Sequence, residues 1–315
     1  MKSRLNPAIL PIQASNPIGR LRWAIGLTLL TLALNPLAFG QNQKKSPQIP
    51  AGIKVERDLL YATHNQVDLK LDLYLPEAEP NGLMPAVIWI HGGGWLKGSK
   101  DKCPAAFLAQ HGFAVASISY RLADTTQWPG QIDDCCAAVR WLRSNGEKYG
   151  IDGERIGAWG SSAGGHLAAL LGTRDADQSA GVDARVQAVC DWFGPTNLLT
   201  MPPNNVSETR TAEQVANSNG AKLLGTTVRE VPELAKDASA LFHITKEDPP
   251  FLITHGSEDP GVPLSQSITF HDALQKAGIK SRFVIVKGAK HGGKEFQSDK
   301  VKNTVVAFFK ETLKP

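Results

Sequence analysis

The sequence predicts an α/β fold in which helices cover both faces of a mainly parallel sheet. Short apolar runs, typical of strands buried on both faces, recur from about residue 84 to residue 288. Most of them are separated by segments in which apolar residues follow helical spacing. Because strands that alternate with helices form βαβ units, these two observations favour parallel strands. The 315 residues, 42% of them hydrophobic, show no internal repeat and no second core, so we expect one domain.

Seven segments have the composition of strands. "VDLKLDLYLP" (67–76) alternates between apolar and polar residues, which predicts a half-buried strand. "MPAVIWIHGGGW" (84–95) is a continuous apolar run that ends in glycines, which predicts a strand buried on both faces. The other five are "FAVASISY" (113–120), "RIGAWG" (155–160), "VQAVCDWF" (186–193), "PFLITHG" (250–256) and "SRFVIVKG" (281–288).

Helical patterns fill most of the intervals between these strands. We expect Asp133 and Asp134 to cap the first helix, because acidic residues commonly lie at helix starts. The connection over residues 194–248 is polar and too long for a simple crossover, so it is predicted to be a lid or a substrate-specificity insertion. The helical segments are "CCAAVRWLRSNGEKYG" (135–150), "AGGHLAALLGT" (163–173), "SQSITFHDALQKAG" (265–278) and "DKVKNTVVAFFKETL" (299–313).

The first 40 residues have the features of a secretory signal peptide. Four basic residues precede "WAIGLTLLTLALNPLAFG", an apolar run that is broken by Asn35 and Pro36. A transmembrane anchor, the alternative, needs about 20 uninterrupted apolar residues. We therefore expect a signal peptide over 1–40, a linker over 41–52 and the folded domain over 53–315. The expected location is secreted or periplasmic, with no stable membrane insertion after cleavage.

Charge and cysteine content narrow the classes of partner. The four basic residues before position 41 account for the net charge of +4, and the other 30 basic residues are matched by 30 acidic ones. Because phosphate binding requires clustered positive charge, nucleic acid is not expected as a partner. The spacing of Cys103, Cys135, Cys136 and Cys190 resembles no zinc site, so no metal is expected. In an exported chain they permit a disulfide, and buried free thiols are the equal alternative.

The stretch "GAWGSSAGG" (157–165) contains the pattern G-x-S-x-G, in which Gly160 and Gly164 frame Ser162. A buried strand before it and a helix after it are the context in which this pattern carries a nucleophile. The helix dipole there favours developing negative charge. Ser162 is therefore the candidate nucleophile, and Ser161 is a neighbour that tunes the turn.

The segment "HGGGW", His91–Trp95, directly follows a buried strand and has the glycines of an oxyanion loop. Three glycines let backbone N–H groups approach a ligand closely. We expect Gly93 and Gly94 to donate to an oxyanion, together with the N–H of Ala163 after the nucleophile. His91 is expected to shape this loop.

A serine nucleophile also needs a base and an acid, which follow it in the order acid and then histidine in this kind of fold. Asp259 follows the strand "PFLITHG", with Glu258 as the competing acid, and His291 follows the next strand. Each lies at the carboxyl end of its strand, where such sheets bind ligands. His166 is expected to pack inside its helix. The remaining histidines, expected to be structural or on the surface, are His64, His111, His243, His255 and His271.

Taken together, "HGGGW", "GSSAGGHLAALL", "HGSEDPGVPLSQS" and "GAKHGG" resemble the α/β-hydrolase superfamily. The resemblance extends from about residue 53 to Leu313 and is nearest to two groups of carboxylesterases, the hormone-sensitive-lipase-like and the bacterial feruloyl/acetyl-xylan-esterase-like (BD-FAE-type) enzymes. It implies a mostly parallel eight-stranded sheet, no metal and no organic cofactor. One departure is Ser161, where relatives often carry Asp or Glu.

The resemblance implies a serine carboxylesterase that hydrolyses esters through an acyl-enzyme. Together with the expected export, it makes acetyl or feruloyl esters of polysaccharides the candidate substrates of a secreted enzyme. Trp95 and Trp192 are the candidate substrate-binding residues, although core packing is equally compatible with both. One alternative is a serine peptidase of the prolyl-oligopeptidase type, and a formamidase or lactonase would suit the same site. The other alternative is a hydrolase-fold binding protein without catalysis. The oligomeric state is left open.

Overall fold

A computed structural model describes residues 49–314, apart from Glu79 and residues 175–180. The predicted signal peptide over residues 1–40, and most of the predicted linker, lie outside the described residues. The described residues fall within one compact unit, Ser46–Pro315. Among them, no helix has both the length and the apolar character needed to cross a membrane.

Eight strands form a single sheet: β1 (Ile53–His64), β2 (Val67–Pro76), β3 (Met84–Ile90), β4 (Ala114–Ile118), β5 (Ile151–Ser161), β6 (Ala188–Trp192), β7 (Phe251–Gly256) and β8 (Ser281–Val286). Their order across the sheet is β1-β2-β4-β3-β5-β6-β7-β8. β2 pairs antiparallel with both β1 and β4, and all other neighbours are parallel. The prediction of a mainly parallel sheet is confirmed, and so is the eight-stranded sheet that the resemblance implies.

The α-helices of the described chain are α1 (Gly130–Asn145), α2 (Ala163–Thr173), α3 (Ala212–Ala216), α4 (Asn219–Leu224), α5 (Pro232–Asp237), α6 (Leu264–Lys276) and α7 (Asp299–Leu313). The bounds of α2 and α7 are those of the predicted segments. The three short helices α3, α4 and α5 all lie within the long connection over residues 194–248.

Alternate residues of β3 enter two different cores, which explains its continuous apolar sequence. Ile88 packs in the core that contains Leu167 of α2. Its neighbour Val87 packs in the core that contains Phe309 of α7. All four side chains are fully buried. Because successive side chains of a strand point to opposite faces, only a strand covered on both sides needs apolar residues at every position.

β1 is a strand that the apolar pattern did not predict. Most of its residues are exposed or half-buried, so it lacks the alternation of β2. Its pairing with β2 shifts register twice, between Glu56 and Leu59 and between Leu60 and Ala62. Asp58, inside the first shift, has a φ of 57°. Such bulges break the period of two on which a strand prediction depends.

The expectation that Asp134 caps the first helix is wrong. α1 begins at Gly130, so Asp133 lies in its first turn and Asp134 lies beyond it. The carboxylate of Asp134 is fully buried and accepts hydrogen bonds from the Arg121 backbone at 2.8 Å and from its guanidinium at 2.6 Å. Asp134 therefore neutralises a cation at the end of β4, because a buried carboxylate needs such a partner.

All four cysteines carry free thiols, and Cys135, Cys136 and Cys190 are the buried free thiols of the second alternative, whereas Cys103 is half-buried. Burial raises the pKa of Cys103 to about 12 and that of Cys136 to about 11. It also raises the pKa of Cys135 and Cys190 well above the ordinary value. Since the thiolate is the reactive form, these side chains are inert at neutral pH.

Candidate active site

Ser162 lies in a sharp turn between β5 and α2, with φ of 56° and ψ of −120°. A positive φ is a strained conformation for a residue that has a side chain. A Cβ at Gly160 would lie 2.1 Å from the carbonyl oxygen of Gly164. A Cβ at Gly164 would lie 2.0 Å from the carbonyl oxygen of Ile90. The backbone therefore requires both glycines of the G-x-S-x-G pattern.

The three residues expected to form a triad are in hydrogen-bond contact. The Ser162 Oγ lies 2.8 Å from Nε2 of His291, and Nδ1 of His291 lies 2.7 Å from Oδ2 of Asp259. With the imidazole proton on Nδ1, the ring donates to the carboxylate and accepts from the serine hydroxyl. The three residues follow the carboxyl ends of β5, β8 and β7. The competing acid Glu258 is exposed, and among the described residues only Asp259 contributes a carboxylate bonded to His291.

Asp259 is held by four donors. Its Oδ1 accepts the backbone N–H groups of Gly261 at 2.8 Å and Val262 at 3.0 Å. Its Oδ2 lies 2.7 Å from His291 and 3.2 Å from Nε2 of His255. Burial by itself would raise the pKa of Asp259, but the bonds from His255, His291 and the two N–H groups hold it well below the ordinary value. The carboxylate is therefore ionised wherever His291 can act as a base.

His255 is a residue of this site that sequence reasoning missed. The side chain is fully buried at the end of β7. Its Nδ1 lies 2.7 Å from the hydroxyl of Ser267, and its Nε2 lies 2.9 Å from the carbonyl oxygen of Val262. The ring thus accepts from Ser267 and donates from Nε2 toward Val262 and Asp259. Its position four residues before the acid, at the end of a buried strand, was the available signal.

The glycine-rich segment after β3 lies against the Ser162 turn. A Cβ at Gly92 would lie 2.7 Å from the carbonyl oxygen of Ser161, so the two backbones are in close contact. Gly93 and Gly94 have φ of 119° and 63°, which are conformations that favour glycine. Ala163 is the first residue of α2, so its N–H has no acceptor within that helix.

His91 packs behind this glycine segment. Its ring stacks on Tyr120 with the centroids 4.3 Å apart, and the Tyr120 hydroxyl donates to the His91 carbonyl oxygen at 3.1 Å. Burial lowers the pKa of His91, so the ring is neutral. A Cβ at Gly98 would lie 2.3 Å from Nδ1 of this ring. The histidine therefore holds the two ends of the loop together.

A cavity of about 380 Å³ opens onto Ser162 and His291. Most of its wall belongs to the long connection over residues 194–248. The lining residues from that connection are Pro195, Leu198, Met201, Pro203, Asn204, Arg210, Gln214, Asn217, Ser218, Asn219 and Gly220. The rest of the wall is Gly94, Trp95, Ala163, Gly261 and Val262. The wall combines apolar and amide side chains, as small-molecule sites usually do.

Trp95 lines this cavity and is anchored from behind by His166. The indole Nε1 donates to Nδ1 of His166 at 3.2 Å, and Nε2 of His166 donates to the carbonyl oxygen of Ala238 at 2.7 Å. His166 is fully buried, and burial lowers its pKa to about 4 although the bond to Ala238 opposes that shift. His166 is therefore a packed, buried residue, as expected, and it remains neutral.

Trp192, the second candidate for substrate contact, does not line the cavity. Its side chain is 3% exposed and lies in the core on the α7 side of the sheet. Its ring centroid is 4.8 Å from that of Trp159 and 5.2 Å from that of Phe296. The structure therefore assigns Trp192 to core packing.

A second cavity, of about 700 Å³, lies at the other edge of the sheet. Its lining includes Phe251 and Ser281, which begin β7 and β8. Ligands of open α/β sheets bind at the carboxyl ends of the strands. The smaller cavity, which contains Ser162 and His291, is therefore the candidate active site.

The family model named BD-FAE matches residues 71–274, which include Ser162 and Asp259. The chain belongs to the BD-FAE family. This membership agrees with the resemblance stated from the motifs. His291 lies beyond the matched segment.

Several curated relatives of this BD-FAE family member are esterases by name. Esterase LipC of Mycobacterium tuberculosis is 32% identical over 234 residues, which are 70% of this chain and 56% of LipC. The isoprenylcysteine alpha-carbonyl methylesterase ICME of Arabidopsis thaliana is 28% identical over 251 residues, 76% of this chain and 56% of that protein. The chain thus spans about half the length of the curated relatives it matches.

Solved structures match it over more of their length. A truncated form of a carbohydrate esterase from gut microbiota has a TM-score of 0.71 and 31% identity, covering 82% of this chain and 95% of that one. The esterase Est2 of Thermogutta terrifontis has a TM-score of 0.65 and 27% identity, covering 83% and 92%. The same esterase phosphorylated by paraoxon has a TM-score of 0.66 and 26% identity, covering 86% and 99%.

Proposed function

We propose that this BD-FAE family member is a serine carboxylesterase in which Ser162 is the nucleophile, His291 the general base and Asp259 the acid. The observation that carries the proposal is the unbroken path of hydrogen bonds from the Ser162 hydroxyl through His291 to Asp259. Family membership and the esterase names of its relatives support it.

In the proposed reaction, His291 removes the proton of Ser162 as the serine oxygen attacks the ester carbonyl. Asp259 orients the imidazole and stabilises the imidazolium that forms. His291 then returns the proton to the leaving alcohol, and an acyl-enzyme remains on Ser162. Water attacks the acyl group with His291 again as base, which releases the acid and restores the serine.

We propose that the oxyanion of the tetrahedral intermediate is bound by backbone N–H groups of Gly93, Gly94 and Ala163. Support comes from the position of the glycine segment against the Ser162 turn and from the location of Ala163 at the start of α2. Each such donor contributes about 3 kcal/mol to transition-state stabilisation.

The proposed substrates are acetyl or feruloyl esters of polysaccharides, encountered outside the cytoplasm. The similarity to a carbohydrate esterase supports the substrate class. The amino-terminal features typical of a signal peptide support export. Edman or mass-spectrometric identification of the first residue of the exported protein tests the second point, with cleavage expected near Gly40.

Hydrolysis of p-nitrophenyl acetate tests the nucleophile and the acid. We expect Ser162→Ala and Asp259→Asn to lower kcat by about 10³-fold or more, because the parts of a triad act as a unit. There are two matched controls: Glu258→Gln changes an exposed neighbour of the acid, and Ser161→Ala keeps the turn. The kcat of each should stay within about threefold of the wild-type value. Loss of activity in Glu258→Gln but not in Asp259→Asn would move the acid to Glu258.

Labelling by paraoxon gives a test that needs no ester substrate. Est2 of Thermogutta terrifontis is phosphorylated by this reagent. We expect one diethylphosphoryl group on the wild-type chain, located by peptide mass spectrometry on Ser162. The Ser162→Ala variant should stay unlabelled. Equal labelling of both proteins would show that the reactive nucleophile lies elsewhere.

A further inference from the structure

The described wall of the cavity beside Ser162 contains one fixed cation and no fixed anion. None of the described lining residues is Asp or Glu, and Arg210 is the only Lys or Arg among them. The other polar side chains there are four amides, two serine hydroxyls, the Trp95 indole and the histidine of the candidate triad. A concave site lined by one sign of charge concentrates ligands of the opposite sign.

The backbone holds Arg210 in place on both sides. Before it, a tight turn pairs Arg210 with Ser207 through two backbone hydrogen bonds of 3.1 Å. After it, Thr211 begins α3 with a capping box, in which Thr211 and Gln214 bond each other's backbone N–H groups. The half-buried arginine therefore extends from a fixed point on the cavity wall.

Among the described residues, no carboxylate forms a salt bridge with Arg210. The neighbours Glu208 and Glu213 are exposed and are not paired with it. Other arginines of this fold, such as Arg121, have a carboxylate bonded to the guanidinium. An unneutralised guanidinium at the edge of a cavity has its five donors available for a ligand.

We propose that Arg210 binds a carboxylate on the substrate, so that the enzyme prefers esters that carry this charge. The inference rests on the proposed esterase function. Arg210 and Ser162 line the same cavity, so an ester whose carbonyl lies at Ser162 shares that cavity with the guanidinium. A guanidinium matches a carboxylate by two parallel N–H···O bonds.

Two matched pairs of esters test whether the preferred carboxylate lies in the acyl part or in the alcohol part of the substrate. Monomethyl adipate and methyl hexanoate differ by a carboxylate in the acyl part, whereas 4-acetoxybenzoate and its methyl ester differ by one in the alcohol part. For wild-type protein, the charged member of one pair should have the higher kcat/KM. Arg210→Gln should lower that charged-to-neutral ratio about tenfold, as expected for a charge-assisted bond. Arg210→Lys should keep part of the preference, and 0.5 M NaCl should weaken it in the wild type.

The matched control is Arg229→Gln, which removes an exposed arginine of the same connection outside the cavity lining. It should leave both ratios within twofold of wild type. The proposal would be overturned if Arg210→Gln unfolded at the wild-type temperature and kept the wild-type charged-to-neutral ratios of kcat/KM. It would also be overturned if the wild type preferred the neutral ester of both pairs.

A binding measurement separates this proposal from the esterase proposal. If the wild type hydrolyses no ester, the function proposed above fails, whereas binding still tests Arg210. Quenching or enhancement of tryptophan fluorescence, with Trp95 in the cavity wall, follows the binding of adipate and 4-hydroxybenzoate. At least one of them should bind wild type and Arg229→Gln about tenfold more tightly than Arg210→Gln. Equal Kd values would refute the anion site whatever the activity.

Discussion

Replacement of His166 by glutamine should remove a pH-dependent part of the free energy of unfolding. The fully buried imidazole has a pKa of about 4 in the folded protein, against 6.5 for the exposed group in the unfolded chain. Between these values the unfolded chain binds a proton that the folded protein does not, so wild-type stability falls as the pH is lowered. At 1.36 kcal/mol per pKa unit, the loss between pH 7 and pH 4.5 is about 2.5 kcal/mol. Glutamine is neutral throughout and does not contribute this loss.

The assay is urea unfolding at pH 7 and pH 4.5, followed by tryptophan fluorescence. The difference between wild type and His166→Gln should change by about 2.5 kcal/mol between the two pH values, because other titrating groups are common to both proteins. Val305→Ala serves as the control, since it removes fully buried methyl groups from the core on the α7 side of the sheet and leaves His166 and its contacts in place. It should lower stability equally at both pH values. Parallel pH dependence in wild type and His166→Gln would refute the assignment of a neutral, buried imidazole.

Three further substitutions test the nucleophile turn, the buried carboxyl group of Asp191 and the contact between His255 and Asp259. Gly164→Ala should abolish esterase activity and lower Tm, because the added Cβ would lie 2.0 Å from the Ile90 carbonyl oxygen. Wild-type activity in this variant would contradict the turn geometry. Burial raises the pKa of Asp191 from 3.8 to about 6, so the unfolded chain releases this proton first and wild-type stability falls as the pH rises between these two values. The stability of Asp191→Asn relative to wild type should therefore rise by about 2 kcal/mol from pH 4 to pH 8 in urea unfolding. His255→Phe removes a donor to Asp259, so kcat for p-nitrophenyl acetate should fall about tenfold while KM changes little. His255→Gln should recover part of the lost kcat.

The nucleophile turn could be predicted from sequence because its constraints are local. Gly160, Ser162 and Gly164 lie within five residues, and the backbone contacts that require the glycines follow from the strand–turn–helix order. The positions of Asp259 and His291 were predictable for a related reason. Parallel strands place their carboxyl ends at one edge of the sheet, so residues that directly follow neighbouring strands come close together.

The alternation of side chains along β6 could have shown from the sequence that Trp192 is a core residue and not a substrate contact. In β6, Cys190 and Trp192 face the core on the α7 side, whereas Val189 faces the other core. A tryptophan two positions from a buried cysteine on the same strand shares its face. That relation indicates core packing for Trp192, as observed. No comparable rule predicted β1, whose bulges depend on how it pairs with β2.

The wall of the cavity could not be predicted, because contacts between distant parts of the chain position it. Gln266, buried in α6, accepts the backbone N–H groups of Thr196 and Asn197 at 2.9 and 2.8 Å, although about 70 residues separate them. The Ser239 hydroxyl accepts the N–H of Leu198 at 2.9 Å across 41 residues. None of these pairs belongs to a motif. Relatives can therefore share the nucleophile turn and differ in this wall, so the ester that each prefers depends on groups such as Arg210, which only the folded arrangement brings to the cavity.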